Sequence, residues 1–299
     1  MQLSPYDLLS LGAAVCWAFT SVLSATPARQ LGTFAFTRWR MVLVLLMLLP
    51  VVLLSGSWRS LSLADGAVLA LSGFIGIFVG DTALFAAMNR LGPRRTSVLF
   101  ATHAFFSALL GYWVLGEQMG AQALLGGSLV MSGVMTAILL GRHKDEAHVL
   151  EADSGHWGQG VALGLLAALC QAVSSLIAKP VMVGGADPIA ATAVRVSATC
   201  IAQLLLLWSG YAGARALQRA TPRILLQVGW IGFLGMGLGM TLIMLALRQG
   251  DVGLVAILSS VSPVLVLPLL WLRLGRAPAP GAWLGAGLTV LGTALVLLR

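Results

Sequence analysis

The feature that most constrains this chain is a series of ten apolar runs, each about 20 residues long, joined by mostly short polar connections. A helix of that length spans the roughly 30 Å of hydrocarbon in a bilayer. Only helices and closed barrels satisfy their own backbone hydrogen bonds in lipid. The runs are continuous rather than alternating, which favours helices. We therefore predict ten transmembrane helices, at residues 7–27, 34–54, 65–88, 94–115, 121–141, 159–182, 188–210, 223–246, 252–273 and 281–298.

The composition excludes a water-facing protein. Hydrophobic residues make up 59% of the 299 residues and charged residues only 9%, against roughly 25% charged in a soluble domain. The formal net charge is +8, but the basic residues flank the apolar runs. We interpret them as determinants of orientation in the bilayer rather than of nucleic-acid binding. Cys16, Cys170 and Cys200 lie inside apolar runs without metal-ligand spacing, so no metal or cofactor is predicted.

The domain organisation follows from one long polar segment at residues 142–158. It separates a first five-helix unit at 1–141 from a second at 159–299. Residues 1–7 carry no basic region of the kind that opens a signal peptide, so we expect the first helix to remain in the protein.

The two units resemble each other in sequence. Residues 11–23 align with residues 165–177 at six identical positions of 13. Further matches in the same order are Gly73-Phe-Ile-Gly76 with Gly229-Trp-Ile-Gly232, and Arg38 with Arg195. Five helices are an odd number, so the second unit must enter the membrane from the opposite face. The sequence therefore predicts two inverted repeats, an arrangement typical of secondary transporters whose site lies between the halves.

The basic residues also predict an orientation. Loops that carry more Lys and Arg usually lie in the cytoplasm. The connections after the odd-numbered helices, with adjoining helix ends, carry Arg29, Arg38, Arg40, Arg90, Arg94, Arg95, Arg142, Lys144, Arg215, Arg219, Arg223, Arg273 and Arg276. The other face carries Arg59, Lys179, Arg248 and Arg299. This count places both termini outside the cytoplasm.

One segment resembles a family signature. Residues 97–133 read as an apolar helix that ends in Leu-Gly-Glu117, a short turn and a Gly-rich helix. This pattern is similar to the EamA-type transporters of the drug/metabolite transporter superfamily. Residues 252–292 are similar in the second half, with Pro263 at the usual proline position. The resemblance covers residues 7–298, but Ala104 stands where proline is frequent, and Arg276 stands where the glutamate is common.

The resemblance implies an all-α integral membrane fold with ten helices in two five-helix repeats. It implies a secondary transporter, frequently an exporter of amino acids, including aromatic ones, or of related metabolites, in the inner (plasma) membrane. Drugs, nucleosides and sugar phosphates remain alternative substrates. Family members of this size are expected to keep both termini in the cytoplasm, which conflicts with the charge count. No ATP-binding P-loop occurs, so transport would use a proton or solute gradient, by a monomer or homodimer.

Ionisable residues at membrane depth are costly and by default indicate function. Asp81 could bind a substrate amino group or carry a proton, or it could form an ion pair with an arginine. His103 could line the cavity or shuttle a proton, or simply pack. Arg195 could bind a substrate carboxylate, or hold a helix end or an acid.

The remaining candidate substrate-binding residues are aromatic or polar. Trp17 and Gln171 are equivalent in the two repeats and are expected near the pseudo-two-fold axis, where tryptophan could stack on a solute and glutamine bind it. Phe78 and Phe85 share a predicted helix face with Asp81, although packing or lipid contact also explains them. Ser259 could add a hydroxyl before Pro263.

A membrane-embedded enzyme and a channel are the alternatives to a transporter. A membrane-embedded enzyme would need paired catalytic groups, and no HExxH or GxSxG motif occurs, so no enzymatic activity is predicted. A channel remains possible, but inverted repeats favour alternating access.

Overall fold

The computed structural model describes residues 4–140, 157–274 and 280–298, and the regular elements in these ranges are helical. In them, nine helical segments are long and apolar enough to cross a membrane, and Ala121–Ala137 is a shorter apolar helix. The all-α membrane fold predicted from sequence is confirmed. The first half contains α1 (Pro5–Leu31), α2 (Thr33–Ser55), α3 (Leu63–Gly73), α4 (Thr82–Ala101), α5 (His103–Leu115) and α6 (Ala121–Leu140). The second contains α7 (Trp157–Val183), α8 (Pro188–Trp208), α9 (Pro222–Gly232), α10 (Met240–Ala246), α11 (Val252–Ser259), α12 (Ser262–Leu274) and α13 (Pro280–Leu297).

Polar caps set the starts of several helices. Ser62 and Asp65 form a reciprocal capping box at the start of α3, and Thr221 caps α9 through the Ile224 backbone N–H. A side-chain oxygen here satisfies a backbone N–H that has no partner within the helix. Ser62 and Thr221 open corresponding helices, so the two halves share this local signal.

The packing of the halves is that of inverted repeats. Helix α1 packs against α9, α10, α11 and α12 of the second half, and α7 packs against α3, α4 and α5 of the first. Each repeat therefore inserts its first helix between the third and fourth membrane spans of the other. Helices α6 and α13 pack closely against each other, as do α2 and α8.

The third membrane span of each repeat is interrupted by π-helical backbone. We call Phe74–Asp81 the first π segment and Phe233–Gly239 the second π segment. In both halves the segment follows an α-helix of 11 residues. A π turn bonds residues five apart instead of four, and such turns are frequent at functional sites.

The contacts of the glycines correct the alignment of the two arginines. A Cβ at Gly73 would overlap the backbone of Arg195, and a Cβ at Gly232 would lie 3.3 Å from the carbonyl oxygen of Arg40. Since Gly73 and Gly232 end corresponding helices, Arg195 corresponds to Arg40. The sequence alignment with Arg38 was wrong, because Arg38 lies two residues away on another face of α2 and donates to the Ala214 carbonyl.

The glycine contacts also correct the sequence alignment of the two third spans. A Cβ at Gly76 would overlap Ser174, and a Cβ at Gly235 would lie 3.2 Å from the Thr20 side chain. Gly76 therefore corresponds to Gly235 and not, as aligned from sequence, to Gly232. The glycines of the second half recur every three residues, so a shift by three still matches glycine with glycine.

The connection between the third and fourth spans also differs from the prediction. The backbone remains helical over Thr82–Ala101, across the connection that the sequence placed between the spans 65–88 and 94–115. Leu91 nevertheless packs against Gly160 and Leu99 against Gly164, so the chain reverses and returns along α7.

Candidate functional site

An ion pair lies beside the first π segment. Arg40 of α2 donates from Nη2 to a carboxylate oxygen of Asp81, and the two side chains are 10% and 15% exposed. The Arg40 guanidinium also lies 5.5 Å from the centre of the Phe36 ring and 5.6 Å from that of Phe85. The structure thus places Asp81 in the arginine pair that the sequence left as one alternative. Sequence analysis did not propose Arg40 as a site residue.

Arg195 lies near this ion pair and is fully buried. Its Nη2 donates to Ser174 Oγ at 2.7 Å, and its Nη1 lies 3.2 Å from the Met244 sulfur. Its Nε has no hydrogen-bond partner among the described residues. Asp81 forms its ion pair with Arg40, and Arg195 has no acidic partner of its own among the described residues.

Trp17 joins α1 to the second π segment. Its indole Nε1 donates to the Gly235 carbonyl at 3.1 Å. Gly239 leaves room for the ring, because a Cβ there would lie 3.0 Å from the indole nitrogen. Gln171, the equivalent residue of α7, is half-buried beside Cys170, which faces Gly80 of the first π segment. Both candidates lie on the helices that contact the π segments.

The two aromatic candidates of the third span, Phe78 and Phe85, have different ring partners. Phe78 stacks on Phe74 with ring centres 5.1 Å apart, and Phe74 is 42% exposed. Phe85 is instead buried, edge-to-face with Phe36 at 5.6 Å. Phe78 lies in π-helical backbone, where the α-helical spacing assumed in the prediction does not hold.

His103 and Ser259 belong to a different part of the bundle, where α5 packs against α11. His103 is 3% exposed, its ring centre is 5.1 Å from that of Phe100, and its Nδ1 has no hydrogen-bond partner among the described residues. Ser259 donates to the Ala256 carbonyl at 3.2 Å. No hydrogen bond joins His103 to Asp81, which pairs with Arg40 instead.

A row of buried polar side chains on α8 was not predicted from the sequence. Thr192, Arg195, Thr199 and Gln203 are each 0% exposed. Their spacings of three and four residues place them on one helix face, and this periodicity was present in the sequence. Thr199 donates to the Gly73 carbonyl at 3.1 Å. Neither amide atom of Gln203 has a partner among the described residues.

Another polar contact between the halves lies just after the end of α5. The Glu117 carboxylate accepts from the Val252 backbone N–H at 2.9 and 3.0 Å and lies 4.0 Å from Lys179 Nζ. Lys179 also donates to the Gly250 carbonyl at 2.6 Å. We call these four residues the Glu117 latch. Burial raises the pKa of the Glu117 carboxyl, against the opposing effect of the Val252 hydrogen bond.

Both halves of the chain match the profile of one protein family. The profile of the EamA-like transporter family matches residues 4–139 and again residues 158–298. The chain belongs to the EamA-like transporter family. It is thus a multi-pass membrane protein of a transporter family, as the sequence resemblance predicted. In the described ranges, no three His, Cys, Asp or Glu side chains gather as metal ligands.

Two individual proteins illustrate how this EamA-like transporter compares with others. An uncharacterized transporter of Archaeoglobus fulgidus is 25% identical over 127 residues, which are 42% of this chain and 46% of that protein. The match therefore spans less than half of the length of that relative. A solved crystal structure with 17% identity covers 99% of this chain and 98% of its own, with a TM-score of 0.80. At that identity the similarity shows the fold.

Proposed function

We propose that this EamA-like transporter is a secondary transporter that exports amino acids, including aromatic or other apolar ones, or related small metabolites across the plasma (inner) membrane by alternating access. One observation carries the proposal: the first helix of each repeat packs against the π segment of the other repeat. Inverted repeats of this kind expose a site between them first to one face and then to the other.

The π segments are the elements that we propose to move. Glycines in both segments lie against helix 1 of the opposite repeat, so the contact depends on close approach rather than on interlocked side chains. Trp17 and Gln171 lie on the two moving contacts, and we assign them to the solute. Asp81, Phe85 and Arg195 form the charged and aromatic part of the site. His103, Ser259 and Phe78 line the path at a greater distance.

Counterflow in proteoliposomes tests the proposed function. Vesicles that contain the purified protein are loaded with one unlabelled amino acid and exposed to trace labelled amino acid, with and without a pH gradient. We expect labelled solute to accumulate transiently, because an alternating site exchanges one molecule for another. A channel would show no such trans-stimulation. Movement of another metabolite and of no amino acid would contradict the substrate assignment.

A cross-link tests the moving contact directly. A Cβ at Gly235 would lie 3.7 Å from the Thr20 Cβ, which is within disulfide range. In a variant that lacks the three natural cysteines, we expect Thr20→Cys with Gly235→Cys to lose transport on oxidation and regain it on reduction. The two single-cysteine variants control for the substitutions. Full transport by the oxidised double variant would contradict motion at this contact.

A further inference from the structure

The two repeats differ in one charge at equivalent positions. Arg40 and Arg195 occupy corresponding places on α2 and α8, each against the glycine that ends the preceding part of the third span. In the first half Asp81 lies eight residues after Gly73, and it binds Arg40. Eight residues after Gly232 the second half has Met240. The second arginine thus lacks the acid that the first one has.

The neighbours of Arg195 do not replace this acid. A thioether sulfur at 3.2 Å is a weak acceptor, and the Ser174 hydroxyl is neutral. Arginines inside the membrane generally face a counter-ion or a water-filled cavity. Asp81 is already paired with Arg40, so the positive charge of Arg195 has no acidic partner among the described residues.

We propose that Arg195 binds an anionic group of the transported solute, most simply a carboxylate, which takes the place of the acid missing at Met240. This inference rests on the proposed function and narrows the substrates to solutes that carry such a group. The planar guanidinium suits a carboxylate, because two parallel N–H groups can donate to its two oxygens. Met244 borders the guanidinium with a flexible side chain that can adapt to a solute.

The packing also indicates how the anion reaches the guanidinium. Arg195 is sealed in this conformation, where Ser174 of α7 bonds its Nη2 and a Cβ at Gly76 would lie 3.4 Å from the same nitrogen. Separation of α7 from the first π segment exposes Arg195. The Ser174 hydroxyl holds the guanidinium until the solute carboxylate replaces it.

The first experiment measures ion binding without transport. Thermal unfolding of the purified protein in detergent is followed with sodium acetate, sodium succinate or ethylammonium chloride at constant ionic strength. A ligand that binds only the folded state raises the unfolding temperature with concentration. We expect the carboxylates to do so in the natural protein and in the exposed-arginine control Arg59→Gln, but not in Arg195→Gln. Equal stabilisation of Arg195→Gln, stabilisation by the cation alone, or no shift with any ion would overturn the proposal.

Position 240 offers a matched pair of variants. Met240→Glu supplies the missing acid, and Met240→Leu changes the side chain without adding charge. We expect Met240→Glu to lose the stabilisation by carboxylates that Met240→Leu retains, because its own carboxylate occupies Arg195. If Met240→Glu unfolds, the comparison of Arg195→Lys with Arg195→Gln remains: only lysine should preserve part of the effect. Loss of the effect in both Met240→Leu and Arg195→Lys would count against a charge-based site.

Transport then separates this inference from the proposed function. Counterflow compares phenylalanine, leucine and threonine with their amides, which lack the carboxylate. We expect each amide to move at least ten-fold more slowly than its amino acid. Equal transport of amides would refute the anion site and leave amino acid transport standing. Arg195-dependent stabilisation by carboxylates without any amino acid transport would retain the anion site and refute the amino acid assignment.

Discussion

At the residue scale, the bundle depends on positions where a single atom decides whether two helices can meet. Gly73 allows α3 to lie directly on the backbone of Arg195. Arg40 and Asp81 place a charged hydrogen bond inside the membrane, with Phe36 and Phe85 beside the guanidinium. Each of these interactions predicts a specific response to substitution.

Gly73→Ala should destabilise the protein, whereas Gly66→Ala on the same helix should not. The new Cβ at position 73 would overlap backbone, which cannot rotate away, while position 66 has open space. Overpacking typically costs about 1–3 kcal/mol, and alanine at an open helix position gains up to about 1 kcal/mol over glycine. Thermal unfolding in detergent measures both variants. Equal shifts for the two would contradict the close contact of α3 with α8.

The free energies of unfolding lost on replacing Arg40 and Asp81 singly should add up to more than the loss on replacing both together. Asp81→Asn leaves Arg40 buried without its acid, and breaking such a pair typically costs about 3–5 kcal/mol. Because Arg40→Gln relieves that uncompensated charge, the double variant should lose less free energy of unfolding than the sum of the single variants. Chemical unfolding of all four proteins gives the coupling energy. Strict additivity would mean that the two side chains do not interact.

At the scale of elements, each repeat uses its helices for different tasks. The third spans are interrupted by π segments, and the fourth spans are interrupted at Thr102 and at Ser260. Helices α6 and α13 cross with glycines that leave no room for a Cβ, which is typical of a static contact. The Glu117 latch joins the end of α5 to the start of α11, in the opposite repeat, and not to the next helix along the chain.

Glu117→Ala should destabilise the protein more than Glu117→Gln. The alanine leaves the Val252 N–H without its acceptor, a loss of about 0.5–2 kcal/mol for a helix cap, whereas the glutamine side-chain oxygen can still accept it. Thermal unfolding of both variants gives the order. A smaller loss for the alanine would show that the cap does not contribute.

The pH dependence of the latch follows from the raised pKa of Glu117. The folded chain binds this proton more tightly than the unfolded chain, where the pKa is about 4.3. The contribution of Glu117 to the free energy of unfolding is therefore greatest below that value and falls as pH rises through the raised pKa. The unfolding temperature of the natural protein, relative to that of Glu117→Gln, should therefore fall as pH rises through the raised pKa.

At the scale of the whole molecule, the chain is two inverted repeats whose charge is unevenly distributed between the faces. Arg38 and Arg40 are buried within α2. Without them, the connections after the first, third, fifth, seventh and ninth spans, with adjoining helix ends, carry 11 Lys and Arg residues against four on the other face. The packing of the helices does not depend on which of these faces the cytoplasm. Orientation is set at insertion by the flanking charges.

Labelling of two exposed glutamines tests this orientation. Gln218 lies on the basic face and Gln118 on the opposite one. In a variant without the natural cysteines, an impermeant maleimide should label Gln118→Cys in intact cells and Gln218→Cys only after permeabilisation. The reverse pattern would place both termini in the cytoplasm, as the family resemblance implied.

The sequence by itself determined the membrane class, the helical fold, the two repeats and their inversion. The physical reason is that these properties depend only on residues close together in the sequence or on the number of spans. An apolar run of about 20 residues must be helical in lipid, and an odd number of spans inverts the next repeat. Arg195 and Asp81 were recognised as notable for a similar reason, because charge inside an apolar run is visible without any knowledge of the fold.

Only the tertiary structure decided which residues meet. Asp81 bonds Arg40, which lies 41 residues earlier, and Arg40 rather than Arg38 corresponds to Arg195. Glycines that recur every three residues fit more than one register, so only helix contacts could select the correct one. Likewise, only the structure showed that Phe78 lies in π-helical backbone, where the α-helical period that sequence patterns assume does not hold.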